Sequence, residues 1–269
     1  MKEQQDRLPN WVYDPRTPPE AVEEKYGRML KLPEGIRLTG RQPRFESWAR
    51  EDEPMVICPE TISIDVFSRT MDELERMAGI YMRAFNSQNQ RLYREAKQAS
   101  LIWDEEPWTR ETAKRQLLDE LSQQDSICFV AKAKTPEGND QLIGFIVARL
   151  VDYFDLAEVS GSEDVSGDIF ALREGEEDWW RLLLWEDAAV ANLADINGNT
   201  VRGVGTKLYA RMAQAADETG QASIGRTSLG SFAERILPKT GFVEFDPPVQ
   251  DGKDKQRYWL YRIKKGGQP

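Results

Sequence analysis

The stretch from Leu182 to Glu218, LLLWEDAAVANLADINGNTVRGVGTKLYARMAQAADE, constrains this chain more than any other. Leu182 to Val190 is apolar and strand-length, and a helix-forming segment follows Gly205 with Leu208, Met212 and Ala215 at helical spacing. Between them lie Gly203 and Gly205, one residue apart and preceded by Arg202. Glycine in such a turn tolerates positive φ and lets the backbone approach a ligand closely. Backbone N–H groups that open into a helix N-terminus make a ready anion site. A plain strand-to-helix connection accounts for the same residues, so the rest of the chain has to decide.

Composition narrows the choice. With 269 residues, 40% hydrophobic and 8 Trp, the chain can build a large core. A formal net charge of −10 argues against nucleic acid or an anionic membrane as the main partner. No apolar run reaches the ~20 residues needed to cross a bilayer, and the N-terminus MKEQQDRLPN lacks the apolar core of a signal peptide. Cys58 and Cys128 are far apart and read as free thiols in a reducing, cytoplasmic compartment. Histidine is absent altogether. That removes Ser–His and Cys–His nucleophiles and most zinc sites, so no metal is expected, and acid–base chemistry must use carboxylates, Tyr, Lys, Cys or water.

Residues 1 to 60 are rich in Pro with interleaved Trp and Tyr, and read as an extension draped over a main domain, 61–269. Ile62–Arg69 alternates as a strand, and Thr70 starts a helix whose apolar face is Leu74, Met77, Ile80, Tyr81 and Phe85. A second helix is expected over Thr109–Gln123, then two strands, Ser126–Lys134 and Gln141–Val151, joined by the hairpin TPEGND. The acidic segment 152–178 reads as an inserted loop. After the opening strand and helix come a short strand, Ala222–Ser228, a short helix ended by Gly241, and a closing strand pair, Phe242–Phe245 with Gln256–Lys265.

This order, with three motifs, resembles the GNAT superfamily of acyl-CoA-dependent N-acetyltransferases. The family's acyl-CoA motif, loosely [QR]-x-x-G-x-[GA], lies over Thr200-Val201-Arg202-Gly203-Val204-Gly205; both glycines match, and Thr200 replaces the usual Gln or Arg. The strand Glu186-Asp187-Ala188-Ala189-Val190 matches the family's acidic-then-apolar strand, and Ala233, Ile236, Lys239, Gly241 and Phe242 match its C-terminal signature. Two departures stand out. The link from Val190 to Gly203 is longer than usual, with ADINGN shaped like a turn. Leu237 occupies the place of a Tyr that often protonates the departing thiolate. Asp195, Asn197 and Asn199 do not make a calcium loop, because glycine is at the wrong offset and no Glu closes it.

The resemblance implies a mixed α/β fold: a central, mostly antiparallel sheet of six to seven strands, splayed at the cofactor site and flanked by helices. It implies acetyl-CoA as cosubstrate, its pyrophosphate on Arg202, Gly203, Val204, Gly205 and Thr206, and its pantetheine arm along Ala189 and Val190. Glu186 is the expected base and Asp187 the fallback; strict alternation puts Glu186 on the face of Ala188 and Val190. A salt-bridged strand carboxylate is the competing reading for Glu186. Tyr93, Trp103, Asp104 and Trp108, with Glu105 and Glu106, suit a cationic acceptor through cation–π and charge pairing, or else belong to a core beside an acidic turn. The expected activity is direct transfer of acetyl to a primary amine, on a monomer or homodimer that binds neither nucleic acid nor membrane. The alternative is a non-catalytic acyl-CoA-binding or protein-interaction module.

Overall fold

The computed structural model describes residues 53–98, 108–122, 125–171, 180–228, 232–245, 249 and 257–262. The expected N-terminal extension therefore lies, up to residue 52, outside the described residues.

Nine strands and six helices occupy the described residues. The strands are β1 (Met55–Val56), β2 (Cys58–Val66), β3 (Ser126–Lys134), β4 (Asp140–Val151), β5 (Leu182–Val190), β6 (Leu193–Ala194), β7 (Ser223–Ser228), β8 (Val243–Glu244) and β9 (Arg257–Arg262). The helices are α1 (Met71–Gln98), α2 (Arg110–Ser122), α3 (Tyr153–Ser160), α4 (Glu163–Ala171), α5 (Val204–Thr219) and α6 (Phe232–Ile236), the last continued by a 3-10 turn, Leu237–Thr240. Seven strands form one sheet in the order β2-β3-β4-β5-β7-β9-β8. Every neighbouring pair is antiparallel except β5 and β7. The mixed α/β, mostly antiparallel architecture is the expected one.

Two faces of this sheet are covered. On one, α5 and the Leu237 turn bury Leu208, Met212, Ala216, Ile236 and Leu237 against Phe129, Ile143, Ile146, Leu183 and Trp185. On the other, α1 and α2 lay Leu74, Met77, Ile80, Tyr81, Ala113 and Leu117 over Val130, Phe145 and Val147. Gly144 lets β5 and α5 come this close, because a Cβ there would stand 3.0 Å from the Ala189 carbonyl oxygen and 3.3 Å from Leu208 Cδ1.

Helix α1 begins as its sequence directs, with Thr70 Oγ1 accepting from the Glu73 amide at 3.3 Å. It runs on to Gln98, beyond Phe85, the last residue of the expected apolar face. The acidic segment is a correction of a different kind. Its described part is two helices, α3 and α4, and not a loop. Asp152 caps α3, its Oδ1 accepting from the amides of Phe154 and Asp155 at 2.9 Å, while Asp155 reaches back to the Asp152 amide. Leu156, Val165, Ile169 and Phe170 turn inward onto β5 and β7, and Glu158, Asp164 and Asp168 turn outward. The acids are the solvated side of an amphipathic pair.

The long link after β5 is built rather than slack. Asp195 Oδ1 accepts from the amides of Asn197 and Asn199 at 2.8 Å, and Asn199 Nδ2 donates to Asp195 Oδ2 at 2.8 Å. The residues before this turn form β6, which pairs in parallel with β1. The chain entering the fold at Met55 is thereby fastened beside the glycine turn, with Ile57 fully buried.

Candidate active site at the fork between β5 and β7

Strands β5 and β7 pair only at Leu183–Ser223, Leu184–Ile224 and Trp185–Gly225. Beyond Trp185 they part: β7 continues beside β9, while β5 continues beside β4 as far as Val190. Among the described residues no strand pairs with the β7-facing edge of β5 from Glu186 to Val190. Such an edge offers a row of backbone donors and acceptors to an extended ligand.

Helix α5 opens beside this edge. Gly203 precedes it at φ +90°, a value L side chains rarely adopt, and no side chain caps the helix. The first amides of the helix, Val204 to Thr206, have no intrahelical partners. Helices α1, α2, α3 and α4 all carry acids in their first turn; α5 carries none and is preceded by exposed Arg202. An uncapped, acid-free N-terminus with a cation beside it suits an anionic ligand. Of the sequence-expected residues, Val190 packs in the same core layer as Val204, while the Ala189 side chain belongs to the layer under α1 and α2.

Glu186 and Asp187 sit at its base, but not as simple alternation predicts. Ile146 pairs with Ala188 and Ala148 with Trp185, so both acids stand opposite the single residue Val147. This is a β-bulge. It carries Ala188 and Val190 to the α5 face together with Trp185, which corrects the expectation that Glu186 shares a face with Ala188 and Val190. Glu186 instead meets Arg149 of β4, whose Nε donates to Glu186 Oε1 at 2.7 Å. Burial raises the Glu186 carboxyl above the ordinary range, and Arg149 offsets only part of that rise. Arg226, the first β7 residue past the last β5 pair, also acts on Glu186. Two buried atoms here, Glu186 Oε2 and Trp185 Nε1, have no hydrogen-bond partner among the described residues.

Asp187 faces a residue the sequence reading passed over, Glu120 of α2. Burial foremost, and then the Asp187 charge, push the Glu120 carboxyl well above the ordinary range. A Glu seven residues after Ala113 and three after Leu117, on the inward stripe of a helix, is the signal that could have found it. Tyr209 of α5 belongs to the other core layer, with Trp185. It is buried against Trp185 with ring centroids 5.8 Å apart, and burial together with the Asp187 charge raises its phenol, which stays protonated.

Of the expected acceptor residues, only Trp108 has a described side chain. Trp108 is half-buried and packs edge-on against Tyr81, while its backbone exchanges two 2.8 Å hydrogen bonds with the Asn86 side chain. Packing accounts for it. Tyr93 falls on α1 with its side chain outside the described part of the structure, and Trp103 and Asp104 lie outside the described residues. Leu237 is buried in the main core, with Cδ1 3.1 Å from where a Gly225 Cβ would stand. Among the described residues no group of acids and Cys could hold a metal ion, and no helix is long and apolar enough to cross a membrane.

No family model matches the sequence, and no curated protein does. Solved structures of similar fold are GNAT-family acetyltransferases and related proteins. A Desulfovibrio desulfuricans protein described as an acetyltransferase of the GNAT family aligns at 13% identity and TM-score 0.43, over 76% of this chain and 98% of its own. Spermidine N-acetyltransferase from Vibrio cholerae, solved with CoA and spermine, aligns at 12% identity and TM-score 0.41, over 76% and 96%. AtaTR bound with acetyl-CoA aligns at 12% identity and TM-score 0.37, over 75% and 94%. At these identities nothing about the neighbours' substrates transfers to this chain.

Proposed function

We propose that this protein is an N-acyltransferase that moves an acyl group, acetyl first among them, from acyl-CoA to a primary amine. The observation that carries the reading is the fork itself. Among the described residues, β5 has no partner strand on one edge from Glu186 to Val190, α5 begins without a side-chain cap or acids, and Glu186 Oε2 is buried without a hydrogen-bond partner.

In this reading the amides of Val204, Gly205 and Thr206, with Arg202, hold the pyrophosphate, and Ala189 and Val190 pair with the pantetheine arm. Acetyl-CoA supplies an activated acyl carbon and a thiolate leaving group. An acceptor amine enters as an ammonium ion and must lose a proton before it can attack. Glu186 Oε2 takes that proton, while Arg149 holds Oε1 and fixes the carboxylate's orientation. The neutral nitrogen forms the new C–N bond, the C–S bond breaks with its electron pair on sulfur, and the adduct's surplus N–H proton passes to the thiolate, leaving amide and CoA thiol. A thiol has an ordinary pKa of about 8.5, so protonating this leaving group is a modest demand. Leu237 carries no proton to give, and Tyr209 is the phenol that the bulge brings under the influence of Asp187.

A second reading, an acyl-CoA-binding module without turnover, draws on the apolar, buried Leu237. Calorimetry with acetyl-CoA and an amine screen that follows thiol release separate the two. Acyltransfer predicts binding, turnover with at least one amine, and loss of turnover in Glu186→Gln. Binding without turnover on any amine leaves the module. Absence of binding, unchanged by bulky replacements at Gly203 and Gly205, rejects both.

A further inference from the structure

Glu120 lies on the stripe of α2 that presses on the sheet, and only 6% of it meets solvent. Gln116 Nε2 donates to its Oε1 at 2.7 Å. Its Oε2 is buried and, were the group ionised, would have no donor among the described residues. A carboxylate in that position takes up a proton rather than remain charged and unpaired. With the proton in place the same atom becomes a donor, and the acceptor within hydrogen-bonding reach is Asp187.

The surrounding charges make this assignment specific. From β5, Glu186 and Asp187 face Glu120, and from β3 the Cys128 thiol does. The Asp187 charge also reaches Tyr209 of α5. Arg149 of β4 and Arg226 of β7 act on Glu186, and Arg69 and Glu73 act on Cys128. Three carboxyl groups thus converge on the bulge, and Arg149 forms its ion pair with Glu186.

We propose that Glu120 is a positioning residue for the acceptor side of the fork: it keeps its proton, donates it to Asp187, and fixes that carboxylate as the counter-charge for a cationic amine. The proposal rests on the acyltransferase reading and deepens it, since it divides the two acids of the bulge between recognition by Asp187 and proton transfer by Glu186. The chain Gln116–Glu120–Asp187 is then a relay of orientation, each member donating to the next. Hydrogen bonds of this buried kind lock a side chain into a single geometry. The acceptor it selects is an amine that arrives charged, such as an aliphatic primary amine, over a neutral aromatic amine.

The test has a spectroscopic and a kinetic arm, both on the full chain. Infrared spectra at pH 7 are expected to show a protonated-carboxyl C=O band that Glu120→Gln removes and Asp187→Asn shifts. In steady-state assays Glu120→Leu is expected to raise KM for an aliphatic amine at least about tenfold with kcat less affected. Its acetyl-CoA affinity by calorimetry is expected to stay close to wild type, and Glu120→Gln, which keeps a donor, is expected to recover most of the KM. Absence of the band overturns the Glu120–Asp187 contact, whether or not the protein acylates amines. A Glu120→Leu KM equal to wild type overturns the positioning role. If Glu120→Leu does not fold, the band and Glu120→Gln still decide. Bound acetyl-CoA without turnover on any amine sinks the acyltransferase reading and the acceptor half of the proposal together, and leaves the band to decide the contact.

Discussion

Arg149 Nε donates to Glu186 Oε1 at 2.7 Å, and both side chains are largely withdrawn from water. The pair spans β4 and β5 at the bulge, one residue beyond the last pairing between β5 and β7. Burial pushes the Glu186 carboxyl up more strongly than Arg149 and Arg226 pull it down, so the net displacement is upward. A carboxylate placed this way is a stronger base than an exposed one, and its second oxygen has no hydrogen-bond partner among the described residues.

The pH profile follows from that balance. As the base, Glu186 must be ionised, so kcat/KM is expected to rise with pH through a pKa above the ordinary glutamate value. Arg149→Met removes the nearer cation. An opposite charge at this distance is worth roughly one to three pK units, so the acid limb is expected to move to higher pH by about one unit or more. Glu186→Gln is expected to lower kcat by about 10²- to 10⁴-fold. An acid limb that stays in place in Arg149→Met sinks the assignment of Glu186 as the base.

Glu120 sets a second pH dependence, in stability rather than rate. Its carboxyl is raised well above the ordinary range, so the folded state holds a proton that the unfolded state releases at lower pH. Where the native state binds more protons, stability falls as pH rises. The contribution of Glu120 is therefore fully present below the unfolded value near 4.3 and is lost as pH climbs through the folded value. Glu120→Gln cannot ionise. Its melting temperature relative to wild type is expected to improve steadily from pH 5 to pH 8.5, and a difference that does not change with pH contradicts a protonated Glu120.

Much of this architecture was legible in the sequence, for reasons that particular residues make plain. Strand β5 was bounded correctly because Leu182 to Trp185 is apolar on both faces, as a strand buried between two layers must be, and Ala188 to Val190 resumes the apolar run. Helix α5 announced itself through its apolar period and the glycines before it. The bulge was not legible, because it depends on β4 presenting Val147 opposite two residues, a fact of register between strands. Glu120 was hidden for a related reason: only when α2 is laid on the sheet does its inward stripe bring a carboxyl to Asp187. The acidic segment misled because acids were counted without asking which side of a helix they occupy.

Gly203 separates conformational from steric demands at the turn. Its φ is +90°, and a Cβ there would meet nothing within 4 Å. Gly203→Ala therefore costs only backbone strain, about 1–2 kcal/mol, read by chemical denaturation. Relief of that strain by a shift of the turn is expected to misplace the Val204 to Thr206 amides and weaken acetyl-CoA binding severalfold in calorimetry. Unchanged affinity would remove the turn from the cofactor site.

On β9, between β7 and the edge strand β8, Arg262 is 2% exposed and holds three elements together. Its Nη2 donates to Asp217 of α5 at 2.7 Å, and its Nε to the Thr240 carbonyl oxygen at 2.7 Å. Arg262→Met leaves Asp217 without this partner and an acceptor unfilled. Removing one member of a fully buried ion pair costs about 3–5 kcal/mol; Asp217 is partly solvated, so about 2–4 kcal/mol is expected here. The readout is the urea midpoint, and a change under 1 kcal/mol, the scale of a surface pair, would show that the latch carries no weight.

The proton for the departing thiolate is the last matter the fold bears on. Leu237 stands where a Tyr would be expected, but it is 2% exposed and packed against Gly225 and Phe242 in the main core. Leu237→Tyr must fit extra volume and a hydroxyl into that core, which costs about 1–3 kcal/mol for the volume alone. It is expected to lower the melting temperature without raising kcat. Tyr209 is different: it is buried, it keeps its proton, and it lies close enough to Asp187 to feel its charge. Tyr209→Phe removes one oxygen and little volume. It is expected to lower kcat by about tenfold or more, since a positioned acid typically contributes at least about 10²-fold and this leaving group needs less help. Acetyl-CoA affinity is expected to hold. If Leu237→Tyr instead raises kcat and Tyr209→Phe leaves it unchanged, the thiolate lies toward the Leu237 turn, and the proton comes from there or from water.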